Sequence, residues 1–436
     1  MSSVCVINVV GLTPDLLPHA PRISSLGIAR PWTSPSPAVT CTAQATMLTG
    51  LTPREHGIVG NGWLFRDTGE VRFWQQSNRL MQGDKLYQGV PTAKMFWWFN
   101  QGAPVTWYAT PKPYYGCDGS KAFGIIDQTG TELTRHLGDF PFFSFWGPRA
   151  GLSSSRWIAD ATARVMREQR PQLTLCYLPH LDYDFQRLPV RDPVRVAEVD
   201  RCAGAVIDAA AEMGARVVIV SEYGLVPVSK PVLINRALRQ AGLLEVRDGP
   251  FGEMLLPLDS RAFAVADHQL AHVYINDASC TNEVRRIVEG LEGVAQVVHP
   301  AELELDHPRS GELIALAEPD AWFVYYYWLD DRRAPDFART VDIHRKPGYD
   351  PCELFSTSNL RAAIRLAQKK MGLRYRMDVI PLDPNLVHGS HGLRPAPEKG
   401  PLVIGPDPPA SMVEFKSYVE RLLDVARCNV ARWSPP

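Results

Sequence analysis

Pro37-Ala-Val-Thr40-Cys-Thr-Ala-Gln-Ala-Thr-Met-Leu48-Thr-Gly-Leu-Thr-Pro-Arg-Glu-His-Gly-Ile-Val-Gly-Asn61 is the stretch that decides the fold. Small and apolar residues follow Thr40 and the run stops at Gly50, which reads as a short buried helix opened by a threonine. A helix amino end offers free N–H groups and a positive dipole, and so favours phosphate-like anions. A threonine placed there can serve as a nucleophile, but most helix-opening threonines are plain caps. Upstream, Val4–Val10 reads as a buried strand. It runs into the turn Val9-Val-Gly-Leu-Thr-Pro-Asp-Leu-Leu17.

From Val4 to Asn61 the chain resembles the type I phosphodiesterase and nucleotide pyrophosphatase branch of the alkaline phosphatase superfamily. The resemblance rests on the strand with its Gly turn, the threonine block, the Thr-Gly…Pro…His-Gly-Ile…Asn run and the Thr40-to-Asn61 spacing. It implies an alkaline-phosphatase-like α/β sandwich, with a mostly parallel central sheet flanked by helices and a smaller α+β cap. It also implies Thr40 as nucleophile and Asn61 as holder of a phosphoryl oxygen. The family's chemistry employs two zinc ions, which neutralise charge in phosphoryl transfer.

Carried onto this chain, the family's ligand set is incomplete. Tyr177-Leu-Pro-His-Leu-Asp182-Tyr-Asp-Phe-Gln186 keeps the aspartate but puts Gln186 where the family has histidine. Ser221-Glu222-Tyr223-Gly stands in place of Ser-Asp-His-Gly, and Val10 in place of the first aspartate. Gly389-Ser-His391-Gly keeps the late histidine. The resemblance therefore implies Asp182, His391 and Glu222 as ligands of a divalent metal. Zinc is the expected ion, one rather than two, and a metal-free site stays open. Gln186 and Tyr223 are expected to face the substrate. So are His344 and Lys346, from the charged loop Asp342-Ile-His-Arg-Lys-Pro-Gly-Tyr-Asp-Pro-Cys-Glu353, although such loops are as often simply solvated. His56 is expected to be structural, and Asp267-His268 and His272 to be packing or rim residues.

Elsewhere, Leu173–Leu178 and Arg216–Val220 read as further buried strands, alternating with helical patterns over Trp157–Arg170 and Pro193–Met213. The reading divides the chain into a core over 1–250 with an aromatic-rich insertion over 63–157, a cap over 251–342, and a return to the core over 343–436. A strand over Trp322–Trp328 and a closing helix over Met412–Ala426 belong to the same reading. The insertion's aromatics suit packing, or a wall for a flat leaving group.

A formal net charge of −1 over 436 residues gives no electrostatic case for a nucleic acid polymer or a membrane surface. The eight cysteines are scattered without a C-x-x-C pair, which argues against a disulfide framework. No apolar run reaches membrane-spanning length. A cytoplasmic phosphodiesterase-type hydrolase acting on a small phosphorylated molecule is expected. The alternative is a non-hydrolytic phospho-ligand binder, or a member repurposed for another reaction.

Overall fold

The computed structural model describes residues 2–117, 121–373 and 375–423. Its central sheet has eight strands, in the order Ala29–Pro31, Leu402–Ile404, Arg216–Val220, Val4–Val9, Leu173–Leu178, Thr92–Met95, Trp107–Tyr115, Lys121–Asp127. The five from Arg216–Val220 to Trp107–Tyr115 are mutually parallel, and antiparallel pairings close both edges. Val4–Val9 and Leu173–Leu178 are buried along their whole length, as expected of strands covered on both faces. Helices Leu152–Gln169 and Pro193–Met213 pack on each other and on these strands. The result is an α/β architecture with a large, mostly parallel sheet flanked by helices.

The aromatic segment 63–157 is no appendage. It contributes Thr92–Met95, Trp107–Tyr115 and Lys121–Asp127 to the central sheet. Its aromatic density led to the opposite expectation, yet Phe96, Trp97 and Phe99 are buried in the main core because this segment carries that core to the sheet edge.

A second, four-stranded antiparallel sheet joins Ala262–Asp267, Leu270–Ile275, Leu313–Ala317 and Val294–Val298, with helix Thr281–Glu289 against it. The hairpin between its first two strands turns at His268, whose φ is 62°. Its tip docks on the loop carrying His391: Gln269 N–H donates to the His391 carbonyl at 2.9 Å. The strand expected over Trp322–Trp328 is shorter, Ala321–Phe323, paired with Lys230–Val232. Tyr325, Tyr326, Tyr327 and Trp328 are all buried in the second core, where ring packing replaces a ladder. At the carboxyl end a 3-10 turn over Met412–Glu414 leads into helix Phe415–Leu422. The end of the helix expected to reach Ala426 lies outside the described residues. Among those residues no helix is long and apolar enough to cross a membrane.

One close approach fixes the site's geometry. A Cβ on Gly389 would lie 2.1 Å from the Phe185 carbonyl oxygen, so only glycine lets the His391 strand lie against the helix bearing Asp182. Gly389→Ala is expected to destabilise the fold by about 2–4 kcal/mol, the cost of overpacking against backbone. Urea unfolding of the variant beside wild type checks this; an unchanged midpoint would refute the packing argument.

Candidate active site

In-register parallel pairing places Val9 beside Leu178 and Asn8 beside Val220. The segments leading to Gly11, Asp182 and Glu222 therefore leave the sheet at one carboxyl edge, where ligand sites in such folds gather. Helix Thr40–Thr49 points its amino end at this edge, and all ten of its residues are buried. Thr40 Oγ1 lies 2.9 Å from the Tyr223 hydroxyl. Cys41 N–H, in the first helical turn, donates to Asn61 Oδ1 at 3.0 Å. Asn61 in turn donates its Nδ2 to Asp267 Oδ1 at 3.0 Å and its backbone N–H to Oδ2 at 2.7 Å.

Three carboxyls converge here, and among the described residues none forms an ion pair with Lys or Arg. Glu222 Oε1 accepts from Asn8 Nδ2 at 2.6 Å and Gln44 Nε2 at 2.7 Å. Gln44 Oε1 is fixed by Trp98 N–H at 2.8 Å, which ties the aromatic segment to the site. Asp182 Oδ2 accepts from Gln186 Nε2 at 2.9 Å, and the Tyr349 hydroxyl donates to Gln186 Oε1 at 2.8 Å. Asp182 Oδ1 faces His391 Nε2 at 3.5 Å, and both atoms are buried without a hydrogen-bond partner. His391 Nδ1 is 2.8 Å from the Ala38 carbonyl, which places the ring proton on Nδ1 and aims the Nε2 lone pair at Asp182.

Burial drives these carboxyls toward their neutral forms. Asp182 is pushed up to about 8, by burial first and then by the Glu222 charge. Glu222 rises to about 7 through burial, against the hydrogen bonds of Gln44, Asn8 and Thr40. Asp267 also rises to about 7 through burial, against the two bonds from Asn61. His391 moves the other way, down to about 3, again because burial disfavours its charged form.

Four rings stack across the site. Tyr223 lies on His391 at 3.6 Å, His391 on His268 at 3.6 Å, and His268 on Tyr349 at 3.7 Å. Asp267 and His268, read from the sequence as packing or rim residues, are therefore in the centre. The available signal was an Asp-His-Gln turn between two apolar strands, but nothing local said where its tip would dock. His272 and His56 are framework. His272 Nε2 meets the Val59 carbonyl at 2.9 Å and its Nδ1 accepts from Gly311 N–H, while His56 bonds Thr46 at 3.0 Å.

The charged loop does not reach Thr40. Lys346 is buried and spans Asp350 at 2.7 Å and Glu353 at 2.6 Å. Arg345 turns to Asp336, and His344 Nδ1 lies 3.3 Å from the Phe73 carbonyl. Two carboxylates satisfy Lys346, so the cation holds the loop together instead of serving an external anion.

The residues present do not fit a two-metal centre. Val10 has no donor, Tyr223 is engaged with Thr40, and amides hold Glu222 Oε1. Among the described residues no three His, Cys, Asp or Glu side chains come together as a ligand set. Asp182 Oδ1 and His391 Nε2 face each other as an orphaned pair; Glu222 Oε2 and Asn8 Oδ1 are orphaned too, without completing a set of three ligands with them. Two protein donors fall short of a resident four-coordinate zinc. A single cation would fit them if substrate and water supplied its other ligands, as with ions held by one or two side chains plus phosphate.

A model of the type I phosphodiesterase / nucleotide pyrophosphatase family matches residues 4–350. The chain belongs to that family. An uncharacterized pyrophosphatase/phosphodiesterase of Schizosaccharomyces pombe is 26% identical over 238 residues, 51% of this chain and 43% of the relative. The match thus spans under half the length of that relative. Phosphonoacetate hydrolase of Sinorhizobium meliloti, solved with phosphonoacetate, superposes with a TM-score of 0.61 at 14% identity, over 97% of this chain and 96% of that one. Murine ectonucleotide pyrophosphatase / phosphodiesterase 5, solved with AMP, gives 0.57 at 12% identity, over 97% and 95%. At such identities the two structures show the shared fold alone.

The pKa shifts set a pH dependence of stability. Imidazoles of His56, His180, His268, His272 and His391 are lowered by burial, so the native state binds fewer protons than the unfolded chain below about pH 6.5, and stability rises up to that point. The raised carboxyls do the reverse. The native state holds protons that the unfolded chain has lost, from about pH 4 up to 7–8, and stability falls across that range. Above pH 6.5 only the second effect remains. Calorimetry in chelator is expected to give a Tm maximum near pH 6.5 and a fall toward pH 8 that Asp182→Asn flattens; a Tm still rising at pH 8 would contradict it.

Proposed function

We propose that this chain hydrolyses a phosphodiester or pyrophosphate bond in a small phosphorylated molecule, with Thr40 as nucleophile. The observation that carries the reading is the Thr40–Tyr223 hydrogen bond at the amino end of a buried helix, beside Glu222. Thr40 Oγ attacks phosphorus as its proton passes to Glu222, and the bond to the leaving oxygen breaks as Glu222 hands that proton on to it. Water then adds its hydroxyl to phosphorus while its other proton passes to Glu222, the Thr40 O–P bond breaks, and Glu222 returns the proton to the threonine oxygen. A carboxyl raised to about 7 is well matched to taking and returning a proton near neutrality.

Tyr223 orients Thr40 and stays a phenol, since burial and the nearby carboxylates push its hydroxyl well up. Cys41 N–H and the Asn61 amide are the donors for the nonbridging oxygens. Asp182 and His391 would hold a divalent cation, and that ion would further neutralise the phosphoryl charge. Half-buried Trp74 and Trp146, both in ring contact with Tyr349, offer a flat leaving group its surface.

Turnover of bis(p-nitrophenyl) phosphate and of a dinucleoside polyphosphate tests the assignment. Thr40→Ala is expected to lose at least about a thousandfold in kcat while keeping its circular dichroism and Tm, and Glu222→Gln to lose a comparable factor. Retained activity in Thr40→Ala would sink the nucleophile. Chelator is expected to lower wild-type activity, and Mn²⁺ or Zn²⁺ to restore it there but not in Asp182→Ala.

One observation favours the non-hydrolytic alternative: Asn61 and Asp267 already occupy the donors meant for phosphate. Wild type that binds a phosphorylated ligand by calorimetry yet turns over neither substrate, with or without metal, would establish that reading.

A further inference from the structure

Helix Asn359–Lys370 is amphipathic in the wrong sense for a monomer's surface: its polar flank faces the body and its apolar stripe faces outward. Residues three, four, seven and eleven apart share one helix face, which aligns Leu360, Ala363, Ile364, Ala367 and Met371. All five are exposed; Leu360 is 72%, Ile364 48% and Met371 65% accessible. On the other side Ala362 packs against the second core, and Arg365 donates Nε to Asp378 at 2.8 Å, with Arg361 on the same carboxylate. No residue of this helix is buried. Leu373, just beyond it, is 53% exposed as well. A contiguous outward apolar stripe of this kind marks a surface that something covers.

Charge selects what covers it. From Leu354 to Met377 the sequence has no Asp or Glu but has Arg361, Arg365, Lys369, Lys370, Arg374 and Arg376. Arg361 and Arg365 are neutralised by Asp378, and among the described residues no other basic side chain of this segment has an ion pair. Lys369, Lys370 and Arg376 stand exposed beside the stripe. The near-zero net charge of the whole chain conceals this basic segment. Apolar side chains flanked by lysine and arginine on one helix are the pattern of a helix lying in the plane of an anionic bilayer surface. A second copy of the chain fits less well, because pairing two such helices sets acid-free basic rows against each other.

We propose that helix Asn359–Lys370 seats this protein peripherally on anionic lipid, with Leu360, Ile364 and Met371 entering the headgroup region and Lys369, Lys370 and Arg376 meeting lipid phosphates. The proposal is independent of the reaction assigned above.

Co-sedimentation of the full chain with vesicles tests it, using phosphatidylglycerol–phosphatidylcholine mixtures against phosphatidylcholine alone. Wild type is expected to pellet with the anionic vesicles at low salt, to be released as salt rises, and to stay in solution with neutral ones. Because the stripe is exposed, Ile364→Glu and Leu360→Glu keep their Tm; each is expected to abolish pelleting. The pair Lys369→Gln/Lys370→Gln is expected to weaken binding by roughly tenfold or more. Wild type that ignores anionic vesicles, or binds neutral ones equally, overturns the proposal. So does an Ile364→Glu variant that pellets like wild type. If Ile364→Glu instead turns a dimer into a monomer in the ultracentrifuge and wild type does not pellet, the stripe is a subunit interface.

Discussion

Three carboxyls buried together, with no Lys or Arg partner among the described residues, are the constraint around which the rest of the site is arranged. Asp182, Glu222 and Asp267 cannot all be ionised in so dry a place without a counter-charge, so each is met by neutral donors. Asn8 and Gln44 hold Glu222, Gln186 holds Asp182, and Asn61 holds Asp267 with two bonds. Amides are the residues for this task because they donate without adding charge and do not lose their protons. Gln186 and Tyr223, which the resemblance set where the family has histidines, have the same physical sense. Where a metal's positive charge would have compensated carboxylates, uncharged hydrogen-bond donors and raised carboxyl pKa values do part of that work.

The same constraint explains why the second sheet must reach the central one. Asp267 and His268 come from its hairpin tip, and without them Asn61 and His391 would each lose a neighbour. The stack of Tyr223, His391, His268 and Tyr349 draws a ring from four separate stretches of chain into one column. A left-handed turn at His268 and the close approach at Gly389 are the backbone features that permit it. Dense packing makes such a column an all-or-none feature, since one displaced ring leaves its neighbours without contacts.

Surface and site follow different logics here. In the site, charge is suppressed by burial, and amides take the place of counter-charges. On helix Asn359–Lys370, positive charge accumulates beside exposed apolar side chains, and among the described residues its acidic partner is Asp378. Whole-chain averages describe neither, because both features are local.

By itself the sequence determined the family, the parallel core strands and the candidate nucleophile. Buried strands such as Val4–Val9 and Leu173–Leu178 are unbroken apolar runs, and the threonine block with Asn61 is a local pattern of fixed spacing. Helix Pro193–Met213 was legible to the residue because Pro193 and Gly214 punctuate it. Tertiary structure alone decided the rest. It put Thr92–Met95 and its neighbours into the central sheet, turned Lys346 inward onto Asp350 and Glu353, and brought Asp267 and His268 to Asn61 and His391. Aromatic density and loop charge state what a segment contains. Which face is buried, and against what, depends on contacts between residues hundreds of positions apart, and no local pattern encodes those.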